Sequence, residues 1–174
     1  MHKLRDAPGD SEADLRARLQ RIAGKKKVYV LGLGNVDRAD DGAGVLVALE
    51  LKKRFPDQSF SEHDGVEGTV LDIAEKDEQS VVFFVDAAEL RLGPGSTKVV
   101  MREDIKETEI TTNRVAVALM ASILEAHGKG SSVICIQPST IKFQGDISEP
   151  VRMAIDNLVS AMAHVMSRAR DSPS

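Results

Sequence analysis

Along the chain, short unbroken apolar runs alternate with longer stretches whose apolar positions recur every three or four residues. The unbroken runs are "KVYVLGL" (27–33), "SVVFFVDA" (80–87) and "SSVICIQP" (131–138). Such runs predict strands buried on both faces. "QSFSEHDG" (58–65) predicts a short strand, and the alternation of "TKVVMRE" (97–103) predicts another. Helical periodicity fills the gaps. "DGAGVLVALELKKRF" (41–55) is expected to turn Val45, Leu46, Leu49 and Leu51 inward and to end at Pro56. "EGTVLDIAEKD" (67–77) predicts a short helix, and "NRVAVALMASILEAHG" (113–128) one closed by Gly128. The last helix has Ser148 as its cap and Pro150 in its first turn, both favoured positions for those residues. Near the start, "SEADLRARLQRIAG" (11–24) spaces Leu15, Leu19 and Ile22 for a short amphipathic helix, with Ser11 or Asp10 as cap and Gly24 as stop.

Strands separated by helices of ten or more residues imply parallel crossovers, and right-handed crossovers put helices on both faces of the sheet. The expected organisation is an extension over 1–26 carrying the amphipathic helix, one α/β domain over 27–170, and a tail over 171–174. In open parallel sheets, ligands bind beyond the carboxyl ends of the strands. That rule selects Asn35 to Asp41, His63 to Gly65, Asp86 to Ala88, and Gln137 to Ser139.

Composition narrows the choices. Hydrophobic residues make up 42% of 174, enough for one core, and the net charge of −4 disfavours nucleic acid or an anionic membrane as a main partner. The "KKK" at 25–27 fits a solvated helix end. One cysteine, Cys135, rules out an internal disulfide framework, and its apolar setting predicts a buried structural thiol. No apolar run is long enough to span a membrane, and the N-terminus lacks the apolar core of a secretory signal. A cytoplasmic protein is expected.

"GLGNVDRADDG" (32–42) opens like a dinucleotide fingerprint but continues with Asp37, Asp40 and Asp41. A pyrophosphate on that helix start would face three carboxylates, at a Coulombic cost exceeding what a helix dipole returns. Capping explains one of Asp40 and Asp41. A carboxylate-lined site explains both. Asp86 ends the most apolar strand, where a lone carboxylate is partly desolvated. If Asp41 and Asp86 converge, they form an anionic pocket suited to a divalent cation or to a shared proton.

The stretch "VLGLGNVDRADDGAGVLVALEL" resembles the opening of the hydrogenase maturation endopeptidases. "HDGVEG", "VVFFVDAAELRLGPGS" and "ICIQPSTIKFQGDISEPVRMAI" resemble later blocks of that family, in order. The resemblance runs from about Val28 into the last helix. It implies a three-layer α/β/α sandwich with a mostly parallel sheet. It implies removal of a C-terminal peptide from a nickel–iron hydrogenase large-subunit precursor once nickel is in place. The family's metal-contacting acids map to Asp41 and Asp86, and its histidine position holds Asn113; His63, at a strand end, is an alternative ligand. Asn35, Asp64 and Gly65 are expected along a peptide groove, and nickel is the implied metal. The Asn113 substitution leaves two alternatives: an inactive relative acting as a maturation chaperone, or a metal-free two-aspartate protease. His2, His127 and His164 fall away from the strand ends.

Overall fold

The structure is a computed structural model that describes residues 10–105 and 114–170. Ser11 accepts a hydrogen bond from the Asp14 amide and opens α1 (Glu12–Ala23), and Gly24 closes it. The chain continues through β1 (Lys27–Gly32), a 3-10 turn (Ala39–Gly42), α2 (Ala43–Lys52), β2 (Ser59–Ser61) and a second 3-10 turn (Glu62–Asp64). It then forms α3 (Val66–Glu75), β3 (Ser80–Ala87), β4 (Thr97–Met101), α4 (Arg114–Ala126), β5 (Gly130–Ile136) and α5 (Glu149–Arg170).

The five strands lie in the order β2-β1-β3-β5-β4. All neighbours are parallel except β4, which runs antiparallel to β5 at the edge. No helix separates β3 from β4, so the chain has no crossover there and enters the edge in the opposite sense. The sheet is therefore mostly parallel, and helices cover both faces. Val28 and Val30 of β1, with Phe83 and Val85 of β3, meet α1, α2 and α5 on one side. Tyr29 and Leu31, with Val82 and Phe84, meet α3 and α4 on the other. Successive strand residues point to opposite faces, so an unbroken apolar run supplies both cores at once.

The α1 helix buries Leu15, Leu19 and Ala23 in the same core as Leu158, Met162 and Val165 of α5. In α2 the inward set differs from the expected one. Val45 is buried and Leu46 partly so, but Val47, Ala48 and Leu51 complete the face, while Leu49 is 37% exposed. The sequence of α2 is apolar nearly all round, so periodicity alone does not single out a face. Close contact with the sheet does. A methyl group placed on Gly44 would lie 2.1 Å from the Val85 carbonyl oxygen and 2.4 Å from that of Leu33. The glycines around the first turn let the helix rest on the strands. They serve packing, where a dinucleotide fold would use them to approach phosphate.

The order β2-β1-β3 means that the chain leaves β1 to one side for β2 and returns on its other side for β3. The carboxyl ends of β1 and β3 thus form a topological switch point, where such sheets open a crevice.

Candidate active site at the sheet switch point

Two segments meet at this crevice. After β1 the chain turns through Asn35, whose Oδ1 accepts from the Asp37 amide at 2.8 Å. The Asn35 amide donates to the Asp41 carbonyl (3.2 Å), and the Asp41 amide donates to the Arg38 carbonyl (3.1 Å). Asn35, expected on a substrate groove, fixes this turn. Gly34 sits at φ 121°, and a methyl group there would lie 1.9 Å from the Asp41 carbonyl oxygen and 3.6 Å from Asp86 Oδ1. One glycine therefore separates the Asp41 turn from the Asp86 carboxyl.

Asp86 is 2% exposed, and its Oδ2 is buried without a hydrogen-bond partner. Its pKa is pushed up to about 7, first by burial and then by the charge of Asp41. The Ala87 amide pulls it down, and Glu62 adds a further upward push. Asp41 is half-buried. Asp86 is thus both desolvated and within the field of the Asp41 charge, and each effect favours its protonated form.

Asp40 has a different task. The capping explanation fails for this pair, since neither the 3-10 turn nor α2 has a side-chain cap hydrogen bond. The Asp40 side chain is fully buried and reaches across the fold. Its Oδ2 accepts from the Ser139 amide (2.8 Å), the Thr140 amide (3.1 Å) and the Ser148 hydroxyl (2.8 Å). Its Oδ1 accepts from the Ser148 amide (2.7 Å). Burial raises its pKa, but these donors outweigh burial and hold the carboxyl below the ordinary aspartate range. Asp40 thus fastens both ends of the 139–148 loop to the turn that carries Asp41. The backbone adds to the seam: the Asp40 amide donates to the Thr140 carbonyl (3.1 Å), and the Gln144 amide to the Asp37 carbonyl (2.7 Å).

The other expected residues divide. His63 is exposed on the 3-10 turn after β2. Asp64 caps that same turn, accepting from the Ser61 amide at 2.9 Å, and pairs with Lys52 at 2.6 Å. Gly65 adopts φ 77°, the left-handed conformation that ends the turn. Gln137 is buried; its Oε1 accepts from the Leu90 amide at 2.6 Å, so it organises the turn after β3. Cys135 is buried beside Asp86 in the β3–β5 register, and burial, with Asp86 nearby, pushes its thiol up to about 12. Asn113 lies outside the described residues. Among the described residues, no group of three or more His, Cys, Asp or Glu side chains is arranged to hold a metal ion.

Sequence reasoning passed over two contributors. Glu62, one residue beyond β2, projects its charge onto Asp86; its place at a strand end was the available signal. Asp40 as a clamp had no signal, because its partners lie some hundred positions along the chain.

Fold and crevice together define a three-layer α/β/α protein with a coupled carboxylate pair at its sheet switch point. No family model matches the chain. It is 23% identical over 164 residues to a candidate hydrogenase maturation protease of Methanocaldococcus jannaschii, covering 87% of this chain and 95% of that one. It is 28% identical over 153 residues to the hydrogenase expression/formation protein HupM of Azotobacter chroococcum mcd 1, covering 81% and 72%. The crystal structure of the nickel–iron hydrogenase maturation protease HycI from Thermococcus kodakarensis KOD1 superposes with a TM-score of 0.72 at 24% identity, over 86% of this chain and 99% of that one. In sequence and in fold, the chain is similar to the hydrogenase maturation proteases.

Proposed function

We propose that this protein is an endopeptidase that removes a C-terminal peptide from a nickel–iron hydrogenase large-subunit precursor after nickel insertion. The observation that carries the reading is the coupling of Asp41 to the desolvated Asp86 across Gly34. An acid whose pKa lies near 7 and a neighbouring carboxylate are the pair that peptide hydrolysis needs at neutral pH. The Asp41 carboxylate takes a proton from water as the water oxygen bonds to the scissile carbonyl carbon. Asp86, in its protonated form, gives its proton to the amide nitrogen as the carbon–nitrogen bond breaks. Products are a free carboxyl and a free amine, and the pair exchanges one proton to reset.

Nickel enters this reading as cargo of the precursor. The described residues supply two electrostatically interacting carboxylates, with the unpartnered Oδ2 of Asp86 among their oxygens, and no arranged group of three or more His, Cys, Asp or Glu side chains. That donor set suits contact with an ion held chiefly by the substrate. A metal-free aspartate pair acting on another protein is the second reading, favoured by the same two-acid donor set.

The test is incubation of purified protein with nickel-loaded and nickel-free precursor, followed by intact mass. Loss of a C-terminal peptide from the loaded form alone supports the main reading. Cleavage of both forms, unchanged by a strong chelator, favours the second. Cleavage that survives in Asp41→Asn and Asp86→Asn overturns the assignment of the pair.

A further inference from the structure

The turn after β1 and the 139–148 loop carry exposed apolar side chains beside the crevice. Val36 is 41% exposed, Ile141 49% and Phe143 65%. Single exposed apolar residues are ordinary. These three belong to two segments joined by the Asp40–Thr140 and Asp37–Gln144 backbone bonds. Phe143 also stands apart from the other phenylalanines: Phe55, Phe83 and Phe84 are buried and Phe60 is partly buried in the core. The loop has no regular secondary structure, yet it is anchored at 139, 140 and 148 by one buried carboxylate. Exposed apolar side chains on two segments held to each other in this way are prearranged for contact with a partner.

Its position says what it meets. The same turn carries Val36 and Asp41, and Asp40 and two backbone bonds tie it to the loop of Ile141 and Phe143, which brings these side chains to the neighbourhood of a polypeptide cut at Asp41 and Asp86. Lys142 lies between Ile141 and Phe143, and Arg38 follows Asp37; both are exposed, and neither takes part in an ion pair among the described residues. We infer that Val36, Ile141 and Phe143, with Lys142 and Arg38, form a docking surface for an apolar segment of the precursor that carries acidic side chains. The inference rests on the function proposed above. Asp40 acts here as a positioning residue, since it holds the docking loop and the Asp41 turn as one body.

The experiment compares wild type with Ile141→Ser/Phe143→Ser and Lys142→Glu, measuring binding of the nickel-loaded precursor and the concentration dependence of its cleavage. Both variants alter exposed side chains, so their thermal unfolding should match wild type. The double variant is expected to raise KM about tenfold or more with kcat within about twofold, as for loss of an aromatic anchor. Lys142→Glu is expected to raise KM in the same direction. An unchanged KM in a wild type that cleaves overturns the docking surface and leaves the proposed function standing. Binding without cleavage in wild type, lost in the double variant, supports the surface and overturns hydrolysis. A wild type that neither binds nor cleaves the precursor overturns both. A wild-type dimer abolished by the double variant, with KM unchanged, assigns the patch to a second copy of this chain and overturns the inference.

Discussion

At the scale of single residues, Asp86 links stability to chemistry. Its folded pKa of about 7 exceeds the ordinary aspartate value. The folded state therefore holds a proton that the unfolded chain has released, and stability falls as pH rises from about 4 to about 7. Asp86→Asn removes a buried charge. Urea unfolding should show the variant more stable than wild type above pH 7, by a few kcal/mol at about 1.4 kcal/mol per pKa unit, with the difference vanishing near pH 4. Asp41→Asn should lower the Asp86 pKa, because the Asp41 charge is the second cause of its elevation; carbon-detected NMR titration of the carboxyl reads this directly. Gly34 is the other sensitive position. Gly34→Ala places a methyl group into the Asp41 carbonyl at a left-handed φ, at a strain cost of at least about 1–3 kcal/mol. Equilibrium unfolding should register that loss together with loss of cleavage.

At the scale of elements, the seam between the acidic turn and the 139–148 loop depends on one carboxylate. Every partner of Asp40 is a donor, so Asp40→Ala leaves the amides of Ser139, Thr140 and Ser148 without their acceptor, at about 1–3 kcal/mol for each that stays dry. Limited proteolysis should then cut within 139–148, and hydrogen exchange there should rise. Asp40 has a depressed folded pKa, so its contribution is complete above the ordinary aspartate range and is lost as pH falls through the lower folded value. The strands were legible as apolar runs because a strand covered on both faces has no polar phase. The helix ends at Ser11, Gly24 and Gly128 were legible from their capping chemistry. The inward face of α2 was not, since nearly every position is apolar and the choice between Leu49 and Val47 is made by contact with β1 and β3. Asp41 and Asp86 could be paired by the strand-end rule. Asp40 could not be separated from Asp41, because adjacency in sequence hides that the Asp40 side chain is bound to a distant loop while the Asp41 charge acts on Asp86.

At the scale of the whole molecule, the two helical layers are unequal, with α1, α2 and α5 on one face and α3 and α4 on the other. The α1 helix is expected to matter for stability: Leu19 is fully buried against α5. Leu19→Ala should lower unfolding free energy by about 2–5 kcal/mol, and removal of residues 1–24 should uncover the apolar side of α5 and promote aggregation, visible by light scattering. Among the described residues, no helix is long and apolar enough to cross a membrane.

The reach of Asp40 to Ser139, Thr140 and Ser148 spans 99 to 108 positions of chain. During synthesis, the first turn leaves the ribosome long before the segment that locks it. A nascent polypeptide stopped short of residue 139 has none of the donors that Asp40 accepts from. The seam therefore closes late, once the last strand and the loop that follows it have been made.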